Sequence, residues 1–185
     1  MWYMGNQRKQ LSKFLAVVLR HDPEKFGLVL DEQGYVALDA VWDVIVERYG
    51  ERFSQDDLAE VVNGDARGKK RYEIVGTQIR AMYGHSKPMV IYPVVVPPAT
   101  LYHGTNPEAY KRIRVEGLQA QSRQYVHMTT NLDNAIVVAK RQTQTPIILE
   151  IVAQVAHVEG IMFHQPEAEH FLARSIPATY LRVRD

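Results

Sequence analysis

The chain has 185 residues, 46% of them hydrophobic, enough for one ordinary domain or two small ones with real cores, which excludes a disordered or low-complexity protein. No apolar run approaches the roughly 20 residues of a membrane-spanning helix, the N-terminus has no secretory-leader pattern, and there is no cysteine for a disulfide framework or a thiolate metal site. A soluble, cytoplasmic protein is expected, and because 22 Lys and Arg stand against 21 Asp and Glu, any grip on a polyanion must come from a local cluster of cations rather than an overall field.

Leu11, Phe14, Leu15, Val18 and Leu19 fall on one helical face, predicting a helix over 9–21 that Pro23 stops. Arg20 and His21 then occupy its last turn, where the helix dipole favours a cation; simple capping accounts for them, and so does a role at a ligand. The short apolar runs 28–30 and 35–38 flank a turn at Asp31-Glu32-Gln33-Gly34. A second helix is predicted over 39–49, with Val41, Trp42, Ile45, Val46 and Tyr49 inward and Gly50 as cap. Ser54 and Asp57 cap a third over 55–62. After a polar turn at 65–70, segments 71–75 and 78–82 read as strands joined across Gly76-Thr77. Three helices and a two-stranded ribbon is the order of a winged-helix unit, a module that binds nucleic acid in some proteins and protein partners in others. Lys70 and Arg71 sit at its basic turn, and Gly84-His85-Ser86 closes the ribbon with a glycine that lets backbone amides approach a ligand beside a hydroxyl and an imidazole.

Prolines crowd residues 88–98, a stiff linker or edge strand, and place a domain boundary between 1–90 and 91–185. Beyond it the pattern turns β-rich, with strands expected at 100–104, 125–129, 146–152, 160–163, 168–173 and 179–183. Two helices interrupt them: one capped by Asn106, with Pro107 first and Gly117 after it, and one capped by Asn131 over 132–141. A strand that ends at His103-Gly104-Thr105 ahead of a helix N-terminus has a phosphate-binding geometry, although no Rossmann fingerprint follows. Arg123 falls in a loop and His127 on the next strand, where a lone histidine is more often a hydrogen-bonded core residue than a functional one. His157, His164 and His170 show no metal-ligand spacing, so no metal is expected.

Taken in order, Leu11-Ser12-Lys13-Phe14-Leu15 leading to Leu19-Arg20-His21, Lys70-Arg71-Tyr72, Ile79-Arg80-Ala81 with Gly84-His85-Ser86, Leu101-Tyr102-His103-Gly104-Thr105, and Tyr125-Val126-His127-Met128-Thr129 resemble the NAD-dependent RNA 2′-phosphotransferase family through most of the chain. The resemblance implies an α+β protein: an N-terminal winged-helix lobe that binds RNA and a C-terminal ADP-ribosyltransferase-like lobe, of mixed or antiparallel β structure, that binds NAD⁺. It implies transfer of an internal RNA 2′-phosphate, of the tRNA-splicing type, to NAD⁺ through a 2′-phospho-ADP-ribosylated RNA, leaving 2′-OH RNA, ADP-ribose 1″,2″-cyclic phosphate and nicotinamide.

By the same resemblance the family's Arg-His-Arg-Arg set maps onto Arg20, His21, Arg71 and Arg123. Arg20 would bind the 2′-phosphate, His21 orient it or protonate the leaving 2′-oxygen, and Arg71 and Arg123 stabilise the phosphoryl charge. His103, Gly104, Thr105 and His127 would hold NAD⁺, and Lys70, His85 and Ser86 would join Arg20 and Arg71 in holding RNA. The expected partners are NAD⁺ and a 2′-phosphorylated RNA, with the protein a monomer. The chain departs from the family pattern at Tyr83, where a glutamine is usual, and over 168–173, where an Asn-Gly-Val-Trp-Leu-Thr run is common. Two alternatives remain open: an NAD-dependent ADP-ribosyltransferase acting on terminal nucleic-acid phosphates or on protein, and a non-enzymatic winged-helix binder of nucleic acid.

Guanidinium groups suit this chemistry because they never lose charge and grip phosphate oxygens bidentately. A phosphate nucleophile is already anionic near neutrality, so holding two mutually repelling anions together matters more than a strong base.

Overall fold

Leu11, Leu15, Val18 and Leu19 are completely buried in the computed structural model, which describes residues 2–64, 70–86 and 90–184. Their helix α1, Trp2–Ala16, starts earlier than the predicted residue 9; its first turns lack the apolar period on which that prediction rested. It runs on into a widened, π-wound turn, Val17–His21, in which the Asp22 amide donates to the Val17 carbonyl at 3.0 Å. Pro23, with no amide to continue the ladder, ends it and opens a 3-10 turn, Pro23–Phe26.

Contacts divide the chain into two compact units, Met1–Ile91 and Tyr92–Asp185. In the first unit, α2, Leu38–Tyr49, and α3, Gln55–Asn63, follow; Ser54 and Asp57 form a reciprocal capping box on α3. The buried line of α2 is Val41, Val44 and Ile45, whereas Val46, expected inside, is 42% exposed. Neighbours meet α2 along this i, i+3, i+4 line, one step round from the predicted face. Phe26, Phe14, Tyr49 and Phe53 form a chain of edge-to-face ring contacts at 5.6, 5.1 and 5.1 Å that ties the helices together.

The predicted two-stranded ribbon is one part of a three-stranded antiparallel sheet. β1, Tyr35–Ala37, pairs with β3, Gln78–Ala81, which pairs with β2, Tyr72–Val75, in the order β1-β3-β2. Three residues are too few to show a period, and β1 exists through what it meets. Arg80 lies over the Tyr35 ring at 4.5 Å, and both Arg80 Nε and the Tyr35 hydroxyl donate to Glu73 Oε2 at 2.8 Å. Burial alone would raise the Glu73 carboxyl, but these hydrogen bonds and the Arg80 charge hold it below its usual range. The polar turn at 65–69 and residues 87–89, including Lys69 and Pro88, lie outside the described residues.

The second unit is built on a seven-stranded sheet. Its strands are β4 (Val94–Val95), β5 (Leu101–Thr105), β7 (Val126–Thr129), β8 (Ile147–Ile151), β9 (Phe163–Glu167), β10 (His170–Ala173) and β12 (Leu181–Val183). They run β12-β8-β5-β7-β10-β9-β4, each pair antiparallel, while β6 (Leu118–Gln119) and β11 (Ser175–Ile176) make a separate two-stranded ladder. The chain is therefore α+β with antiparallel sheets.

Three expectations are corrected here. The strand expected at 160–163 is shifted to β9, helix α6, Ala153–Val158, fills a stretch where no element was expected, and the 132–141 helix is α5, Leu132–Ala139. Helix α4, Pro107–Glu116, starts where its Asn106 cap predicts, the Asn106 side chain accepting from the Ala109 amide at 2.8 Å.

Alternation sorts the sheet's two faces. Leu101, Val126, Met128, Leu149, Ile151, Phe171 and Ala173 enter the main core, while Ala135 and Ala139 of α5 pack with Ile148 on the other face. Gly104 belongs to that second face: a Cβ there would lie 2.4 Å from the Ala135 carbonyl oxygen and 2.8 Å from the Ala139 methyl. Among the described residues no helix is long and apolar enough to cross a membrane.

Candidate functional site

In the first unit, three segments distant in sequence meet at the end of α1. The Arg20 guanidinium donates to the Arg71 carbonyl at 3.2 Å and lies 5.3 Å from the Tyr72 ring centre and 5.2 Å from that of Tyr83. Its Nη1 passes 3.3 Å from where a Cβ on Gly84 would stand, and Gly84 also adopts φ +91, so glycine is required both for the turn and for the approach. The Ser86 amide donates to the Arg20 carbonyl at 3.0 Å, and His21 Nδ1 shares a 2.5 Å hydrogen bond with Ser86 Oγ. Arg20, His21, the backbone of Arg71 and the Gly84–Ser86 turn thus form one cluster, with Ser86 exposed on it.

One member of the predicted set behaves differently from the rest. His85 is only 2% exposed. Burial, followed by the charges of Arg20, His21 and Arg80, pushes its pKa down to about 4, so the ring is neutral at pH 7 and belongs to the framework beneath the cluster. Lys70 is exposed, and its carbonyl accepts from the buried Tyr83 hydroxyl at 3.0 Å. Tyr72 is anchored from behind, its hydroxyl donating to the Ser12 carbonyl at 2.6 Å. Sequence inspection missed both tyrosines as parts of the site, although two aromatics flanking an arginine-bearing turn are a readable signal once that turn is known to face a helix end.

In the second unit the sheet itself organises the residues. β5 pairs with β8 at five register positions but with β7 at only one, Tyr102↔Thr129. Beyond that pair, His103 Nδ1 donates to the His127 carbonyl at 2.8 Å, a side chain bridging the two strands. Burial lowers the pKa of His103; the hydrogen bond to His127 opposes this, and the Arg123 charge adds to it. A neutral imidazole with Nδ1–H committed in this way presents Nε2 as an acceptor.

Arg123 is exposed on a tight turn closed by its own amide to the Ala120 carbonyl at 3.0 Å, near enough for its charge to act on His103. Thr105 is buried, and Gly104 faces α5. His127 Nδ1 lies 2.8 Å from His170 Nε2, an interaction that sequence inspection did not anticipate because the two residues are 43 positions apart.

The other histidines are structural. His164 Nδ1 bonds the Pro93 carbonyl and its ring lies among Tyr92 and Tyr125, while His157 Nδ1 bonds the Ile161 carbonyl at the end of α6. Among the described residues no group of three or more His, Cys, Asp or Glu is placed to hold a metal ion.

A family model described as RNA 2′-phosphotransferase, Tpt1 / KptA family matches residues 6–175. Three relatives each bear the name "Probable RNA 2′-phosphotransferase". One, from Acetivibrio thermocellus, is 39% identical over 94% of this chain and 95% of its own length. A second, from Pectobacterium atrosepticum, is 37% identical over 97% and 99%. A third, from Pseudomonas aeruginosa, is 39% identical over 92% and 94%.

Proposed function

Since the chain belongs to the RNA 2′-phosphotransferase, Tpt1 / KptA family, we propose that it transfers an internal RNA 2′-phosphate to NAD⁺, yielding 2′-OH RNA, ADP-ribose 1″,2″-cyclic phosphate and nicotinamide. The first unit, read as a winged-helix RNA-binding lobe, serves the RNA; the second, read as an ADP-ribosyltransferase-like lobe, serves NAD⁺. What most supports this is the cluster in which a guanidinium, Arg20, and a hydroxyl-linked imidazole, His21, meet a glycine turn with an exposed Ser86. It is an arrangement suited to a phosphate monoester.

Arg20 is oriented before any substrate arrives, by the Arg71 carbonyl and two tyrosine faces, and so loses little freedom on gripping the 2′-phosphate. His21, held by Ser86, orients that phosphate and delivers a proton to the departing 2′-oxygen. Arg71 and Arg123 stabilise charge building on the phosphoryl oxygens. Lys70 and Ser86 add contacts to the RNA strand, and the buried His85 supports the turn from beneath.

The donor set of the second unit fits NAD⁺ as co-substrate. His103 Nε2 accepts from a ribose hydroxyl, Arg123 supplies a permanent positive charge nearby, Thr105 follows His103 on β5, and His127 on β7 holds His103 through its carbonyl and adds its own imidazole to the NAD⁺ contacts. When bound, NAD⁺ supplies the electrophilic ribose carbon to which the phosphate oxygen adds as nicotinamide leaves. Gly104 acts indirectly, by letting β5 lie close against α5.

The test is mass spectrometry of the products from NAD⁺ and a short RNA bearing one internal 2′-phosphate. The expected products are 2′-OH RNA and the cyclic phosphate. A persisting RNA–ADP-ribose adduct would replace this function with a simple ADP-ribosyltransferase, and RNA binding without nicotinamide release would replace it with a non-enzymatic binder.

A further inference from the structure

We propose that His170 is a positioning residue that fixes whether His127 offers a hydrogen-bond donor or an acceptor at the NAD⁺-binding wall, an inference that rests on the function proposed above for the role of His127. In the sheet Leu172 stands directly opposite His127, and His170 stands opposite Thr129, which makes His170 the diagonal neighbour of His127. Val126, Met128, Phe171 and Ala173 turn into the main core, so alternation places both imidazoles on the other face of the sheet. There the rings lie 5.0 Å apart at 57°, and His127 Nδ1 meets His170 Nε2 at 2.8 Å.

That distance is a hydrogen bond, and a hydrogen bond between two imidazole nitrogens contains one proton. If His170 Nε2 carries it, His127 Nδ1 accepts, and a neutral His127 must hold its own proton on Nε2 and present a donor. If His127 Nδ1 carries it, Nε2 keeps its lone pair and presents an acceptor. Losing His170 removes the constraint that this hydrogen bond places on the His127 tautomer, and only one tautomer matches a given ligand group.

The same residue also steadies His103, since the His127 carbonyl receives the His103 Nδ1–H. A line of contacts therefore runs from His170 through the ring and backbone of His127 to the imidazole of His103.

Two measurements test it. Nitrogen-15 NMR of the full-length protein without any ligand reads the tautomer of each histidine directly, and His127 is expected as a single tautomer in wild type and with a shifted tautomer population in His170→Val. Titration with NAD⁺ by calorimetry is expected to show Kd raised roughly five- to tenfold in His170→Val, as for one lost hydrogen bond. In kinetics, KM for NAD⁺ rises while KM for RNA is unchanged, and His170→Gln, whose amide can donate or accept at the same place, recovers most of the loss.

A mixed-tautomer His127 in wild type would overturn the proposal, as would His170→Val with unaltered NAD⁺ affinity, or equal losses for NAD⁺ and RNA not recovered by His170→Gln. Should wild type bind no NAD⁺, the function proposed above fails, while the ligand-free tautomer measurement still decides what His170 does to His127.

Discussion

The two candidate clusters solve different electrostatic problems. The first unit assembles a permanent cation from three segments, with Arg20 braced by the Arg71 carbonyl and the faces of Tyr72 and Tyr83 and with His85 kept neutral underneath. The second arranges adjustable groups along adjacent strands: His103 lowered by burial and tied to a carbonyl, and His127 joined to His170. A guanidinium keeps its charge wherever it is placed, so the first cluster needs only orientation. An imidazole changes charge and tautomer with its neighbours, so the second depends on a chain of hydrogen bonds. The lesson is that perturbing the first should change anion binding, and perturbing the second should change recognition of uncharged polar groups.

The largest expected effects come from removing the two cations assigned to the phosphoryl group. Arg71→Ala and Arg123→Ala should each lower turnover by about 100- to 1,000-fold, as for loss of one preorganised donor to a developing anion, with thermal unfolding unchanged because Arg71 supports Arg20 through its main chain. Wild-type turnover in either would remove that residue from the site.

Next comes acidification. His85 has a folded pKa of about 4, below its unfolded value near 6.5, so the unfolded chain binds more protons between those values. The stabilisation from keeping it neutral is full above pH 6.5 and is lost as pH falls toward 4, at up to about 1.4 kcal/mol per pH unit. Urea midpoints measured across this range should fall for wild type and fall less for His85→Asn; identical slopes would show that the first cluster is not built over a neutral ring.

Gly104→Ala should destabilise the protein by about 1 to 3 kcal/mol, since the new methyl meets backbone rather than a yielding side chain. Its signature would be a lowered unfolding midpoint with NAD⁺ affinity following stability, whereas a selective loss of NAD⁺ binding at unaltered stability would assign Gly104 directly to the ligand. Smallest is Tyr83→Leu, which removes one of the two aromatic faces of Arg20 and should weaken RNA binding roughly threefold to fivefold while leaving NAD⁺ affinity alone. An effect on NAD⁺ instead would dissolve the division of labour between the clusters.

Much of the fold was legible wherever local signals were strong. The apolar stripe of α1, the Ser54 and Asn106 caps and the Gly50 stop are one-dimensional features, because each acts within one turn of helix. β1 was not legible, since three residues take their strand form from Arg80, Glu73 and the partner β3. Nor was the shift of β9, whose Phe163–Glu167 run contains Pro166, a residue that argues locally against a strand. Of the candidate residues, Arg20, His21, Gly84 and Ser86 were named from two motifs, yet nothing local could say that these motifs touch. His170 was set aside as a histidine without metal-ligand spacing, because its importance lies in its diagonal place beside His127.

From residues alone one learns which chemistry is on hand: guanidiniums at helix and strand ends, imidazoles on strands, glycines at turns, and no cysteine. Side-chain chemistry and helix periodicity are properties of short windows, so they survive without coordinates. Only the tertiary structure decides that His85 is neutral and buried, that Tyr72 and Tyr83 enclose Arg20, that Gly104 yields to α5, and that His170 meets His127. Burial, close approach and proton sharing are relations between residues far apart in the chain, and such relations come into being only when it folds.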